Sequence, residues 1–318
     1  MSKRKLIISR NLNEPLLEKV KELVPDWQVI TGRSPAIWKD HLTDTEVIAG
    51  WKSSMSSSIE GSDMKWIQTW SAGVNSLPLE RLEQKNVQIT TANGVHAYPI
   101  SETIFGFMLT LTRKLDTYKK QQLEKSWQPA KMHLEIHEKT IGIIGVGKIG
   151  KETAKIAKAF GMTVLGLRHS GKSEHDVDEM FTQEQLPDLL PRCDYIVVTL
   201  PLTAETENMF GHKEFQLMKP SAFFINIGRG KLVIQQELIQ ALLEKQIAGA
   251  GLDVFETEPL PETNPLWDMD NVIITPHTSG DTELYDQRLI QDIFIPNLKE
   301  YLTGRAPSTN LLDYKKGY

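Results

Sequence analysis

Residues 140–150 read Thr140-Ile141-Gly142-Ile143-Ile144-Gly145-Val146-Gly147-Lys148-Ile149-Gly150. The run Thr140–Gly145 has the apolar character of a buried strand, and the helical pattern Lys151–Phe160 follows it. A strand that turns through Gly-x-Gly-x-x-Gly into a helix is the physical form of a dinucleotide site. Gly145 permits the tight turn, Gly147 lets the backbone approach a pyrophosphate, and Gly150 lets the helix pack on the sheet. Within this motif, Gly145 to Gly150 with Val146, Lys148 and Ile149, the pyrophosphate is expected on the N-terminus of the helix that opens near Lys148, where backbone N–H groups favour an anion.

Working outward, apolar runs recur at Val164–Leu167, Tyr195–Leu200, Ala222–Ile227, Gly249–Val254 and Val272–Thr275. With Ile141–Gly145 they make six candidate strands, and the helical pattern Gln235–Lys245 separates two of them. Mostly parallel strands behind a glycine-rich first turn predict the doubly wound Rossmann fold. Upstream, Lys5–Ser9, Trp27–Thr31, Glu46–Trp51, Trp66–Ser71 and Val87–Thr91 read as strands, and Leu16, Leu17, Val20, Leu23 and Val24 recur at helical spacing. Strands alternating with helices argue for a second parallel sheet with right-handed crossovers. A long helical stripe (Ile104, Phe107, Met108, Leu111, Leu115) follows Pro99, with Ser101 as its expected N-cap, and ends in the polar run Lys119–Ser126. A last helical pattern, Leu284–Leu302, precedes a tail too short for a domain. The predicted class is α/β with two doubly wound parallel-sheet domains. A Rossmann cofactor domain, 99–284, is inserted into a flavodoxin-like substrate domain made of 1–98 and 285–318, with crossings near Tyr98–Ile100 and Ser279–Glu283.

Composition narrows the function classes. A net charge of −5 over 318 residues gives no general attraction to nucleic acid or to an anionic membrane. No apolar run approaches the ~18–20 residues of a membrane span, and Leu6–Ile8 is too short for a signal-peptide core. The single cysteine, Cys193, excludes an internal disulfide framework, reads as a small core residue and suits a cytoplasmic location. His133 and His137 stand four apart, but their segment departs from the HExxH zinc pattern and brings no further ligand, so no metal is expected.

Chemistry-bearing residues gather at the ends of three successive apolar runs: Arg229 in Gly228-Arg229-Gly230, then Glu258, then His277. An anion-binding cation and an acid–histidine pair downstream of a dinucleotide site are equipment for hydride transfer to a carbonyl acid. The residue closing the second strand bears on the cofactor. NAD sites usually carry Asp or Glu there, about 20 residues beyond the glycines, for the ribose 2′-hydroxyl. Here Arg168-His169-Ser170 stands instead, with Lys172 close behind and no carboxylate between Glu152 and Glu174. A guanidinium and a hydroxyl suit a 2′-phosphate, so NADP is the preferred cofactor and NAD a possible one. Read otherwise, Arg168 is a solvated surface residue and the site accepts either.

Several ordered segments resemble the D-isomer-specific 2-hydroxyacid dehydrogenase family along nearly the whole chain. They are Trp70-Ser71-Ala72-Gly73-Val74-Asn75, Gly94-Val95-His96, Gly145–Gly150, Pro201-Leu202-Thr203, Asn226-Ile227-Gly228-Arg229-Gly230, Gly251–Pro259 and Thr275-Pro276-His277-Thr278-Ser279-Gly280. Arg168 departs from the family's common acid and resembles the NADPH-using glyoxylate/hydroxypyruvate reductase branch. The resemblance implies a small 2-keto or 2-hydroxy acid substrate and a homodimer joined through the cofactor domain. It implies that His277 is the general acid, Glu258 its partner, and Arg229 the grip on the substrate carboxylate, helped by backbone N–H groups of Ala72, Gly73 and Val74. It also implies that Asp253 accepts from the nicotinamide carboxamide, that Pro201 and Thr203 line the adenosine side, that Ile227 lies near the nicotinamide, and that Gly228, His277 and Ser279 also belong to the cofactor site. His96 is expected to pack or hydrogen-bond near the crossing. Trp51, Lys52 and Met55 follow a strand where this family places side-chain-selecting residues; equally, Trp51 is core. Some relatives act as dinucleotide-sensing corepressors with protein partners, which is the alternative to an enzyme.

Overall fold

The computed structural model describes residues 3–74, 76–130 and 134–314; Asn75 of the glycine-bearing loop and His133 of the spaced pair lie outside them. The chain forms two compact units, Met1–Val95 with Thr282–Tyr318, and His96–Asp281. Each crossing falls slightly before the expected boundaries at 98/99 and 284/285.

The first unit is built on β1 (Lys5–Ile8), β2 (Gln28–Thr31), β3 (Val47–Ala49), β4 (Trp66–Gln68) and β5 (Gln88–Thr90). They lie in the order β2-β1-β3-β4-β5, all parallel. Side chains alternate between two cores: Leu6, Ile8, Val47 and Trp66 on one face, Ile7, Ile48, Ile67 and Ile89 on the other. Burial on both faces is why these strands read as short continuous apolar runs. The C-terminal segment returns to the first face, where Phe294 stacks on Trp66 at 5.2 Å. The expected helix over 284–302 runs without a break from Tyr285 to Leu302, with a wider π-type turn at Leu289–Phe294 between the α-helical stretches Tyr285–Arg288 and Ile295–Leu302. Pro296 supplies the cause, because it has no N–H to continue the i→i−4 ladder.

The second unit holds β6 (Thr140–Ile144), β7 (Thr163–Leu167), β8 (Glu179–Phe181), β9 (Tyr195–Val198), β10 (Phe223–Asn226), β11 (Gly249–Leu252) and β12 (Val272–Ile274). Its parallel order is β12-β11-β10-β9-β6-β7-β8. The six expected strands are all present, and β8 is added at the edge. The chain runs outward from β6 through β7 and β8, then jumps to β9 and runs the other way. Strand order therefore reverses between β6 and β9, the place where open α/β sheets bind ligands at their C-terminal ends.

The long helix begins at Ala97, not Ser101, and ends at Arg113. Ser101 is an interior, fully buried position whose hydroxyl meets Thr153 Oγ1 at 3.2 Å on the neighbouring helix. Pro99 is tolerated because it falls in the first turn. A further helix, Leu115–Glu124, occupies most of the polar run expected to end the stripe. Cys193 lies in the core, and burial pushes its thiol up to about 12. Among the described residues no helix is long and apolar enough to cross a membrane, and no group of three His, Cys, Asp or Glu is placed to hold a metal ion.

Candidate active site

The dinucleotide turn is built at the reversal point. Gly145 has φ 115°, a conformation disfavoured for side-chain-bearing residues, and a Cβ there would lie 2.9 Å from the Leu200 nitrogen. A Cβ at Gly150 would come within 2.5 Å of the Gly145 carbonyl oxygen, so the helix Lys148–Ala159 sits on the turn only because this residue has none. A Cβ at Gly147 would meet nothing within 4 Å, and no side chain caps the helix. Open space beside an uncapped helix N-terminus fits a pyrophosphate. Val146 and Ile227 are buried in the core and Ile149 packs against it, so the approach to a ligand there falls to backbone.

Arg168 follows β7 and is directed at its own loop. Its Nε donates to the Lys172 carbonyl at 2.9 Å, and its Nη2 donates to the carbonyls of Lys172 and Ser173. Its Nη1 lies 3.5 Å from Glu174 Oε2, which also meets Lys151 Nζ at 2.6 Å. His169 and Ser170 are exposed. Pro201 and Thr203 lie in a polar turn after β9, where Thr206 Oγ1 donates to the Pro201 carbonyl at 2.8 Å and accepts from the Thr203 N–H at 2.8 Å.

Arg229, Glu258 and His277 follow β10, β11 and β12, three adjacent strands. Asn226, 1% exposed, shapes the Arg229 turn: its Oδ1 accepts from the Gly228 N–H at 3.0 Å and its Nδ2 donates to the Arg229 carbonyl at 3.1 Å. At Gly230 a Cβ would stand 1.9 Å from the Phe255 carbonyl carbon, so only glycine lets this turn press against the loop that carries Glu258. Glu258 Oε1 accepts from the Phe255 N–H at 2.9 Å, and Oε2 lies 2.7 Å from His277 Nδ1. His277 has φ 55°. Its side chain is 49% exposed and that of Glu258 35%, so the pair is open to a ligand from solvent.

Asp253 directly follows β11. Its carboxylate, fully buried, accepts from Thr275 Oγ1 at 2.6 Å, the Thr278 N–H at 3.0 Å and Ser279 Oγ at 2.5 Å. Both oxygens are thus engaged by the loop that bears His277, and Asp253 anchors that loop. Ser279 is part of the same anchor. The sequence does not mark Glu174 or this role of Asp253, whereas Asn226, two residues before Gly228, carries a turn-forming signal.

In the other unit, Ala72 and Gly73 are exposed in the loop after β4, while Val74 is buried. Met55 is fully buried in the core and cannot wall a pocket; Trp51 packs partly against that core and Lys52 is exposed. His96 Nδ1 lies 2.8 Å from the Gly280 carbonyl oxygen.

Residues 105–279 match the family model described as D-isomer specific 2-hydroxyacid dehydrogenase, NAD binding domain. The chain belongs to this family. It is 36% identical over 220 residues to glyoxylate/hydroxypyruvate reductase B of Salmonella agona, covering 67% of this chain and 68% of that protein. A solved D-isomer specific 2-hydroxyacid dehydrogenase family protein from Aeromonas salmonicida matches with TM-score 0.82 at 30% identity, over 98% of this chain and all of that one (100%). The NADPH-dependent glyoxylate/hydroxypyruvate reductase of Sinorhizobium meliloti, solved with NADP and sulfate, matches with TM-score 0.78 at 25% identity, over 99% of this chain and 100% of that one. This 2-hydroxyacid dehydrogenase is accordingly an oxidoreductase with an NAD(P)-binding Rossmann unit, from a family that acts on small 2-hydroxy and 2-keto acids.

In this dehydrogenase, burial works against ionisation of Glu258. Hydrogen bonds from His277 and from the Phe255 N–H, together with the charges of His277 and Arg229, outweigh it and hold the carboxyl below its ordinary range. Removing His277 removes a contribution that lowers this pKa, so the value must rise. Carboxyl-carbon NMR on the cofactor-free protein should titrate Glu258 below the usual ~4.3, and His277→Ala should move the midpoint upward. A wild-type midpoint at or above that value, or no movement in the variant, would contradict the pairing.

Proposed function

We propose that the protein reduces a small 2-keto acid, with glyoxylate and hydroxypyruvate foremost, to the D-2-hydroxy acid, using NADPH in preference to NADH. One observation carries this: an imidazole held 2.7 Å from a carboxylate, on the loops beside an arginine turn, in the unit that carries the dinucleotide motif. In this reading Arg229 binds the substrate carboxylate through its fork of donors and polarises the adjacent carbonyl. Glu258 takes the proton-bearing Nδ1 edge of His277, which turns Nε2 toward the substrate oxygen, and Nε2 delivers the proton. Backbone N–H groups of Ala72, Gly73 and Val74 complete the carboxylate site. The dinucleotide supplies the hydride when bound, its pyrophosphate held at Gly147 and the helix opening at Lys148. Pro201, Thr203 and Gly228 border it. Arg168, with Ser170 and His169, receives the 2′-phosphate. The Salmonella and Sinorhizobium relatives, both named glyoxylate/hydroxypyruvate reductases and the second NADPH-dependent, support the substrate and cofactor. They favour an enzyme over a corepressor-like sensor.

Turnover of NADPH and NADH with a panel of 2-keto acids tests this directly. Wild type should favour NADPH with glyoxylate or hydroxypyruvate, and His277→Ala and Arg229→Ala should each lose roughly a hundredfold or more in kcat/KM. NADPH binding should persist in both variants. Near-wild-type turnover in either folded variant, or activity confined to unrelated carbonyl compounds, would overturn the proposal.

We also propose a homodimer through the cofactor unit. The helix Leu115–Glu124 buries none of its residues, and Leu115, Leu123 and Trp127 are 51%, 73% and 96% exposed. Large apolar side chains left at such exposure along one short segment are what an association surface would cover. In sedimentation velocity the wild type should run as a dimer and the double variant Leu123→Asp/Trp127→Asp as a monomer. A monomeric wild type, or a variant that still dimerises, would refute this interface.

A further inference from the structure

The loop after β7 carries its own anion. Lys151 stands in the first turn of the helix that opens the dinucleotide site, and Arg168 directly follows β7. These elements flank the position where an adenosine ribose lies in a Rossmann unit. Their cations converge on one carboxylate oxygen, Glu174 Oε2, at 2.6 Å from Lys151 Nζ and 3.5 Å from Arg168 Nη1. Two nitrogens of the Arg168 guanidinium, Nε and Nη2, donate to the carbonyls of Lys172 and Ser173, so Nη1, facing Glu174, is the nitrogen left to meet an incoming anion. The side chains of Arg168 and Glu174 are only 20% and 22% exposed, so water screens their interaction incompletely.

We propose that Glu174 is a built-in competitor for the cofactor's 2′-phosphate and sets the discrimination between NADPH and NADH. The inference rests on the reading of Arg168 as the phosphate ligand. A phosphate monoester carries about −1.5 to −2 charges at neutral pH. To reach Nη1 it must displace the Glu174 carboxylate or lie beside it, and either way like charges oppose it. With Glu174 present the cluster of Lys151, Arg168 and Glu174 offers a single net positive charge; without it, two. NADH has a hydroxyl at this position and meets no such opposition. Lys151 becomes a second phosphate-facing cation once Glu174 is released.

The test compares dissociation constants of wild type, Glu174→Gln, Glu174→Asp and Arg168→Ala, at fixed salt. The probes are NADPH, NADH, adenosine 2′,5′-bisphosphate and AMP, followed by calorimetry so that no turnover is needed. Glu174→Gln should bind NADPH and the 2′,5′-bisphosphate about three- to tenfold more tightly, as expected for one like charge removed at short range from a partly screened site. NADH and AMP should be unchanged, and the gain should shrink at high salt. Glu174→Asp keeps the charge and should stay near wild type. Unchanged or weaker NADPH binding in Glu174→Gln, an equal gain for NADH, or an equal gain in Glu174→Asp would overturn the proposal, the last by showing that loop slackening and not charge is responsible. The underlying reading fails in a different arm. If Arg168→Ala weakens NADPH and NADH alike, Arg168 is not a phosphate ligand and the role of Glu174 falls with it. If Arg168→Ala is selective for NADPH while Glu174→Gln changes nothing, only the competitor role is lost.

Discussion

The buried carboxylate of Asp253 is the constraint on which the site depends. A charge removed from water is costly unless donors surround it. Here the donors all come from one short segment, Thr275 to Ser279, which is thereby drawn tightly over the end of β11. In the middle of that segment is His277, in a left-handed backbone conformation that costs a non-glycine residue on the order of 1–3 kcal/mol. The hydrogen bonds on either side offset that strain. The loop's conformation, and with it the direction of the imidazole, follows from a residue whose hydrogen bonds go to Thr275, Thr278 and Ser279 on either side of His277.

Sheet topology supplies the rest. Parallel neighbours β10, β11 and β12 end on the same edge of the sheet, so the segments that follow them are adjacent without any long loop. Gly230 then lets the Arg229 turn press onto the Phe255 backbone, and the Phe255 N–H in turn holds Glu258. Arginine, carboxylate and imidazole are coupled through backbone, which lets long side chains lie half exposed and still be oriented. The dinucleotide turn uses the same edge at the strand-order reversal, with Thr199 Oγ1 donating to the Gly145 carbonyl at 2.7 Å to tie β9 to the turn.

What was legible in the sequence follows the same physics. The strands were visible because both faces of each sheet are buried, which makes apolar runs such as Ile141–Ile144 and Tyr195–Val198 stand out. The glycine motif was visible because its spacing is fixed by backbone contacts. β8 is not visible, since only Phe181 of its three residues is buried and it opens on the acidic pair Asp178-Glu179. Ser101 looked like a cap because serine favours that position, but tertiary packing against Thr153 places it inside the helix. Met55 followed a strand as a pocket residue would, yet nothing local distinguishes a wall from a core. Asp253 could be recognised as important but not as an anchor, because its partners lie more than twenty residues onward and are recruited by the fold. In the sequence Glu174 is only the next carboxylate beyond the glycine helix; its convergence with Lys151 and Arg168 exists only in three dimensions.

The central claim, that Asp253 positions His277, is tested most directly by a crystal structure of Asp253→Ala and the separation between His277 Nδ1 and the Glu258 carboxylate within it. Loss of the anchor should release Thr275–Ser279, relax His277 from its left-handed conformation and carry Nδ1 beyond the ~3.2 Å reach of a hydrogen bond. A variant in which His277 keeps both its backbone conformation and its 2.7 Å contact with Glu258 would contradict the account.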